Sequence, residues 1–345
     1  MTLPPAPQRW DINQVNEERM QAVSAYGFTE RQARFLVAVM MHSGVFVERQ
    51  YCTFAGITHG QKSHDFLRKL IDWRFATVVN VGPLHRGRLF HLHYKPLYAA
   101  IDEPDNRHRK RALIGRWIER LMILDAVLDD RTRTWLATEA DKRRHFVRQI
   151  GEQVKVDEFP HLKFGDESAE TIRFFPDKLP IGLPSDGYGH VFLYLVNRPH
   201  PMDFRVFLVR HAELLRLLHK WTIRVLVPEP FVRAIPVFGH AARDQIASPI
   251  NPTSVDELVW YCRTCCRVSP KPSSPDDLRF RRAAGTFRWP RYRAMQRVWL
   301  DHDDRVLWAA SSPILRDKLE AKDGRFEFVR LSRQYLHLSS LVGVA

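Results

Sequence analysis

The distribution of apolar residues predicts a mixed α and β protein. A winged helix-turn-helix comes first, then a helical linker, a small α/β core and a mostly helical C-terminal part. Three observations carry this reading. Residues 28–73 hold three short helical patterns separated by Gly-containing breaks. Residues 77–94 read as two strands around a turn-rich loop. From about residue 152 the period changes to strands, with a helical pattern between two of them, and helical patterns return after 251.

Residues 1–27, with three prolines, read as an arm carrying one short helix near 13–24. Thr29 is placed to cap a helix whose apolar positions Phe35, Leu36, Val39 and Met40 recur at helical spacing, and Ser43-Gly44 ends it. A second helix fits 48–54 and stops at Gly56. A third fits 61–73, with Phe66, Leu67, Leu70 and Ile71 on one face. The strands 77–81 and 88–94 enclose the loop Gly82-Pro83-Leu84-His85-Arg86-Gly87. Residues 28–101 therefore form the expected DNA-binding domain. In a winged helix the third helix enters the major groove and the hairpin touches backbone or minor groove. The corresponding candidates are Gln61, Lys62, His64, Arg68 and Lys69 on the third helix, beside Asp65, and His85, Arg86 and Arg88 on the wing. Glutamine can read adenine, and arginine or lysine can read guanine or hold phosphate.

Residues 102–151 read as a linker and a helical pair, 112–128 and 138–150. The first helix has a basic start made by Arg109, Lys110, Arg111, Arg116 and Arg120. Cations at a helix N-terminus oppose its dipole, so they point to a phosphate contact. The pair serves equally as a dimerisation element or a bridge. Residues 152–250 form the α/β core: a strand-rich stretch 171–181, a buried strand 191–197, an amphipathic helix 204–220 and a strand 221–227. Residues 251–345 form a basic, mostly helical region. Its segment RFRRAAGTFRWPRYRAMQR, 279–297, has seven arginines and no acid, interleaved with Phe280, Phe287, Trp289 and Tyr292. Arg281, Arg282, Arg288, Arg291 and Arg293 are DNA-binding candidates there, against the alternative of a surface helix whose aromatics face the core.

Charge agrees with a polyanionic partner. The chain's 345 residues include 53 Lys and Arg against 39 Asp and Glu, a net charge of +14. Its 45% hydrophobic content suffices for a core. No apolar run has the length of a membrane span, and the N-terminus lacks a signal-peptide pattern, so a cytoplasmic protein without membrane association is expected. Cys52, Cys262, Cys265 and Cys266 are too few for a disulfide framework. The cluster at 262–266 has no second half-site for zinc. His91 and His93 share one face of a strand and lack a visible third ligand. No phosphate-cradling glycine loop or nucleophile elbow occurs, and Tyr335 has no suitably placed His-x-x-Arg box before it, as a tyrosine recombinase requires.

Residues from about 28 to 230 resemble the replication-relaxation family of winged-helix proteins of bacterial plasmids and integrative elements. The resemblance is carried by FTERQARFLVAVM, LRKLIDWRFA, the hairpin ending FHLHY, and FFPDKLPI followed by HVFLYLV. It implies a DNA-binding winged helix followed by a core like a restriction endonuclease. An active core of that kind needs a carboxylate and a Glu-x-Lys or Asp-x-Lys on the next strand, to hold a divalent metal. Asp177 stands where the first carboxylate falls, but the next strand offers Phe192, Leu193, Tyr194, Leu195 and Val196. The core is therefore expected to be degenerate, with no catalytic residue, metal or other cofactor. The resulting expectation is a sequence-selective double-stranded-DNA-binding protein of a mobile genetic element. It would act as a non-catalytic accessory factor in recombination or replication, with a recombinase or replication initiator as partner and a homodimer compatible with the helical pair. The alternatives are a transcriptional regulator, a metal-dependent nuclease using Asp177 with Glu170 or Asp203, and a protein-binding scaffold.

Overall fold

The computed structural model describes residues 11–80, 88–151, 158–165, 170–184, 189–266, 275–333 and 335. Its N-terminal half runs α1 (Ile12–Ser24), α2 (Glu30–His42), β1 (Val45–Phe46), α3 (Glu48–Ala55), α4 (Gln61–Asp72), β2 (Ala76–Asn80), β3 (Arg88–Leu92), α5 (Lys95–Ala99), α6 (Ile114–Asp129), β4 (Arg133–Leu136) and α7 (Glu139–Ile150). There follow β5 (His161–Phe164), β6 (Thr171–Phe174), β7 (Ile181–Pro184), β8 (His190–Leu195), α8 (Met202–Leu217), β9 (Trp221–Val227) and α9 (Ile235–Ala242). The last elements are α10 (Pro252–Cys265), α11 (Pro275–Thr286), α12 (Pro290–Trp299), α13 (Arg305–Ala309), α14 (Ile314–Glu320) and β10 (Gly324–Arg330). Among the described residues no helix is long and apolar enough to cross a membrane.

The first unit is built on aromatic packing. Thr29 Oγ1 accepts from Gln32 N while Gln32 Oε1 accepts from Thr29 N, closing a capping box that starts α2. From α2, Phe35 reaches Phe46 of β1, Tyr51 of α3 and Phe66 of α4, with centroid distances of 5.1, 5.2 and 6.3 Å. β3 lies between β1 and β2, antiparallel to both. Gly44 turns α2 into β1 with φ +74°, and a Cβ there would stand 2.3 Å from the His108 carbonyl oxygen. Close approach and backbone sign both demand glycine.

The second unit is a five-stranded sheet in the order β10-β9-β8-β7-β4. β8, β9 and β10 are parallel, while β7 and β4 continue the sheet antiparallel. All six residues of β8 are buried because both of its faces are covered. Phe192 and Tyr194 pack with Phe204, Phe207 and Leu208 of α8, whereas Val191, Leu193 and Leu195 pack with Trp117 and Leu121 of α6. α6 therefore lies between the two units, its Leu124 and Leu128 belonging to the aromatic core of the first. α10 to α13 enclose a further apolar cluster with Val209 of α8.

Several elements differ from expectation. The helical pair is interrupted by β4, a four-residue edge strand with only two buried positions, too short to register as a period. The stretch 171–181 divides into β6, which pairs with β5 in a separate two-stranded sheet, and β7. The strand-like run 325–331 at the end of the helical region does form a strand, β10, and what differs is that it joins the main sheet beside β9. The helix expected in the arm forms as α1 and is tied to the rest of the chain: its Arg19 makes paired hydrogen bonds of 3.1 and 3.2 Å to buried Asp141 of α7.

The units are joined at Asp125 of α6, which is 5% exposed. Arg49 of α3 donates to both of its oxygens, Gln50 donates at 3.0 Å, and the Tyr335 hydroxyl donates at 2.5 Å. Removing Asp125 leaves the Tyr335 phenol without its acceptor and the Arg49 guanidinium without its counter-ion. Asp125→Ala should destabilise the chain by about 3 kcal/mol or more, and Tyr335→Phe by about 1–2 kcal/mol, in denaturant titrations.

Buried histidines make the fold acid-sensitive. Burial lowers His42 and His190 to about 3, and His91 and His211 to about 4. Between the unfolded value near 6.5 and these folded values, the unfolded chain binds protons that the folded chain refuses. This stability is complete above about pH 6.5 and is lost as pH falls below it, on the order of 1–2 kcal/mol per histidine by about pH 5. A thermal melt series from pH 7.5 to 5 should show a steep fall in Tm below 6.5.

Candidate nucleic-acid interface

α3 ends at Gly56, which takes the left-handed conformation with φ +65° and lets the chain turn toward α4. Phe66, Leu67 and Leu70 anchor α4 in the aromatic core. Its outward face presents Gln61, Lys62, His64, Asp65 and Arg68. Asp65 occupies two of these, accepting from Gln61 Nε2 at 2.7 Å and Arg68 Nη2 at 2.6 Å. The face is thus less positive than its lysines and arginines alone suggest, and Arg68 must exchange one anion for another to contact phosphate. Lys69 is half-buried: its ammonium bonds the Gly27 carbonyl and lies 4.7 and 4.5 Å from the ring centroids of Phe28 and Trp73. It braces the start of the first unit and is withdrawn from the candidate set. His85 and Arg86 lie outside the described residues. Arg88 is exposed at the start of β3, opposite Asn80.

A stronger cationic surface lies at the junction of the two units. A short turn, Arg107–Arg109, is capped by Asn106, whose side chain accepts from His108 N. His108 is buried, and its carbonyl accepts from His91 Nε2 at 3.1 Å. This anchoring displays Arg109, Lys110 and Arg111, although Arg109 Nε also donates to Pro104 O at 3.1 Å. α6 then adds Arg116 and Arg120. Six cations between 107 and 120 face a single carboxylate, Glu119, which Arg116 contacts at 2.7 Å.

Burial and the neighbouring positive charges act in the same direction on these groups. Burial, then Arg120 and Arg116, bring Arg107 down to about 10. Burial and Arg116 lower Arg120, whose buried Nη1 has no hydrogen-bond partner. Burial, then Arg107 and Arg173, lower Lys178, whose carbonyl accepts from Arg107 Nη2 at 3.2 Å. An anion placed here relieves that repulsion. Sequence reasoning reached 109–111, 116 and 120 through charge density. It missed Arg107, Arg173 and Lys178, since the last two arrive by tertiary folding.

The C-terminal arginine segment divides into the helices α11 and α12. Phe287 is buried between Tyr261 and Tyr292, so for these aromatics the core-facing alternative holds. Arg281 pairs with Asp277 at 3.0 Å, and Arg291 donates to the Ser248 carbonyl, with burial lowering its pKa. Arg279 clamps Glu257 and stacks 3.8 Å from the Trp260 ring. Arg282, Arg288 and Arg293 remain exposed, with Arg288 over Trp289, itself 57% exposed.

The residues of a nuclease centre do not converge. Asp177 accepts from Arg210 Nη1 at 3.1 Å, with His211 Nδ1 at 4.0 Å. Glu170 pairs with Lys163 at 3.4 Å and Asp203 with Arg198 at 3.7 Å. Near Asp177 lies an unforeseen group, Lys142 of α7, fully enclosed and donating to Leu179 O at 2.7 Å. Burial and Arg107, against Asp177 and Asp141, bring it to about 7. Tyr335 is buried, with its hydroxyl donating to Asp125. Burial pushes the Cys262 thiol up to about 12, while Cys265 and Cys266 are exposed. His91 and His93 lie with ring centroids 6.0 Å apart, and His93 Nε2 is buried without a hydrogen-bond partner.

Asp177 is thus placed as the counter-ion of Arg210, whose side chain is 9% exposed. Asp177→Ala should cost on the order of 2 kcal/mol in a urea titration, because it strands a nearly buried guanidinium. No family model matches the chain, and neither a curated protein nor a solved structure matches it.

Proposed function

We propose that the chain is a sequence-selective double-stranded-DNA-binding protein with no catalytic role, serving as an accessory factor in recombination or replication of a mobile genetic element. The observation that carries DNA binding is the cationic surface at the junction of the units: six positive charges between 107 and 120 against one carboxylate, with the pKa values of Arg107 and Arg120 lowered first by burial and then by neighbouring positive charge. Such a surface suits a polyanion.

The order α2, α3, α4, β2, β3, with β1 completing a three-stranded sheet, supports reading the first unit as a winged helix. In that reading α4 is the major-groove helix, with Gln61 and Lys62 as the base-reading side chains and Arg68 on phosphate once Asp65 releases it. Arg109, Lys110 and Arg111 hold the backbone, and Arg282, Arg288 and Arg293 engage it farther along. The dispersal of Asp177, Glu170 and Asp203 into separate ion pairs supports a non-catalytic role, and the family resemblance supports the accessory role and the mobile-element context.

Fluorescence anisotropy on DNA flanking the chain's own gene tests this reading. Affinity should fall steeply with salt. Arg109→Ala/Lys110→Ala/Arg111→Ala should weaken binding by roughly tenfold or more and reduce the salt slope by about 1 for each phosphate no longer neutralised. Lys62→Ala should lessen the preference for the specific site. Binding that is flat with salt and indifferent to these changes points instead to a protein-binding scaffold, and magnesium-dependent strand cleavage to a nuclease.

A further inference from the structure

We propose that Glu48, Cys52, His59 and His64 form a site for a divalent cation of the zinc type, clamping α3, α4 and the turn between them. Glu48 and Cys52 are four residues apart on α3 and so share one helix face. His59 belongs to the turn that follows Gly56. The ligand-capable atoms of Glu48, Cys52 and His59 all lie within 4.8 Å of one another, the one such convergence of three among the described residues. His59 Nδ1 is 3.5 Å from Glu48 Oε1, and His64 Nε2 is 3.7 Å from the same oxygen. Both separations exceed a good hydrogen bond. They approach the edge of a zinc tetrahedron, about 3.3–3.6 Å for metal–ligand bonds of about 2.0–2.3 Å. His64 has a largely exposed side chain and completes the set by rotating about its side-chain bonds.

The surroundings agree with a ligand set. Ser63 Oγ donates to Glu48 Oε1 at 2.7 Å and accepts from Gly60 N at 3.1 Å, so a hydroxyl pinned by backbone orients the carboxylate. The imidazoles of His59 and His64 are exposed while the Cys52 thiol is buried, so the set joins surface ligands to an interior one. One thiolate, two imidazoles and one carboxylate suit zinc or cobalt, whereas calcium and magnesium prefer oxygen alone. Burial, and after it the Glu48 charge, raise the Cys52 thiol, and a bound cation acts in the opposite direction by favouring the thiolate. On binding, the thiol releases its proton to solvent as sulfur bonds to the metal, with no change of oxidation state. The site stands on its own geometry and does not depend on the DNA-binding reading.

The test is a cobalt(II) titration of the full-length Cys265→Ser/Cys266→Ser chain, stripped of metal beforehand. These two substitutions remove the exposed thiols. Saturation is expected at one equivalent, with the intense visible bands of tetrahedral cobalt and a thiolate-to-metal charge-transfer band, all abolished by displacement with zinc. Cys52→Ala should remove the charge-transfer band. His59→Ala, an exposed turn substitution that leaves the packing untouched, should weaken binding by roughly tenfold or more. Zinc should raise Tm by mass action, and less so in His59→Ala. The proposal is overturned by weak octahedral spectra alone at one equivalent, or by a titration unchanged in Cys52→Ala and His59→Ala. A charge-transfer band that survives Cys52→Ala and disappears in Cys262→Ala overturns it equally, by placing the metal elsewhere.

Discussion

Asp125 sits where three separately encoded parts of the chain must agree. A carboxylate that is 5% exposed survives in a protein interior only if its charge and lone pairs are met, and here Arg49, Gln50 and Tyr335 meet them from α3 and from the C-terminal end. Gln50 does more than pair: its Oε1 accepts from Val47 N at the start of α3, while its amide also donates to the Leu121 carbonyl of α6. The start of α3, the middle of α6 and the chain's return are therefore one hydrogen-bonded assembly. Because α6 also carries apolar residues of both units, this polar node fixes a register that apolar contact alone leaves adjustable.

The node bears on function through geometry. α3 leads directly into the turn and α4, and α6 begins just after the cationic turn at 107–109. With α3 and α6 held together by Asp125, the two surfaces proposed to meet DNA have a fixed mutual disposition. A polyanion engaging both meets a preorganised array of charge, with less ordering cost than tethered domains would incur. Electrostatics divides the arginines into two populations. Arg19, Arg49, Arg205 and Arg210 are consumed by Asp141, Asp125, Asp244 and Asp177 and serve the interior. The arginines of 107–120 have little carboxylate to answer them. A net charge of +14 does not by itself distinguish these populations.

Much of the architecture was legible where the period is strong. The helix over Glu30–His42, the buried strand at His190–Leu195 and the strand Trp221–Val227 follow from cap residues and apolar spacing, and each lies within a few residues of its expected place. β4 and β10 show what sequence conceals. A four-residue edge strand has no period, and nothing local to β10 announces that its partner lies about a hundred residues earlier. The candidate site divides in the same way. A run such as Arg109-Lys110-Arg111 advertises itself by density. Whether a cation is free or spent depends on acids and rings elsewhere, so Lys69 and Arg291 could be judged only in three dimensions. Glu48, Cys52, His59 and His64 escaped for the opposite reason: their spacing matches no familiar metal motif, and only the turn after Gly56 gathers them.

The placement of β10 also has a temporal consequence. β9 is made early, but its second neighbour arrives only after the intervening helices have been synthesised, and the pairing spans seven residues in register. A nascent or truncated chain ending before Gly324 leaves one whole side of β9, an almost continuously buried strand, as an unpaired apolar edge. Such an edge can pair with its counterpart on another chain, so the interval before β10 docks is when self-association competes with folding. The C-terminal strand acts as a late closure for the sheet, and the helices α9 to α14 set how long the sheet must wait for it.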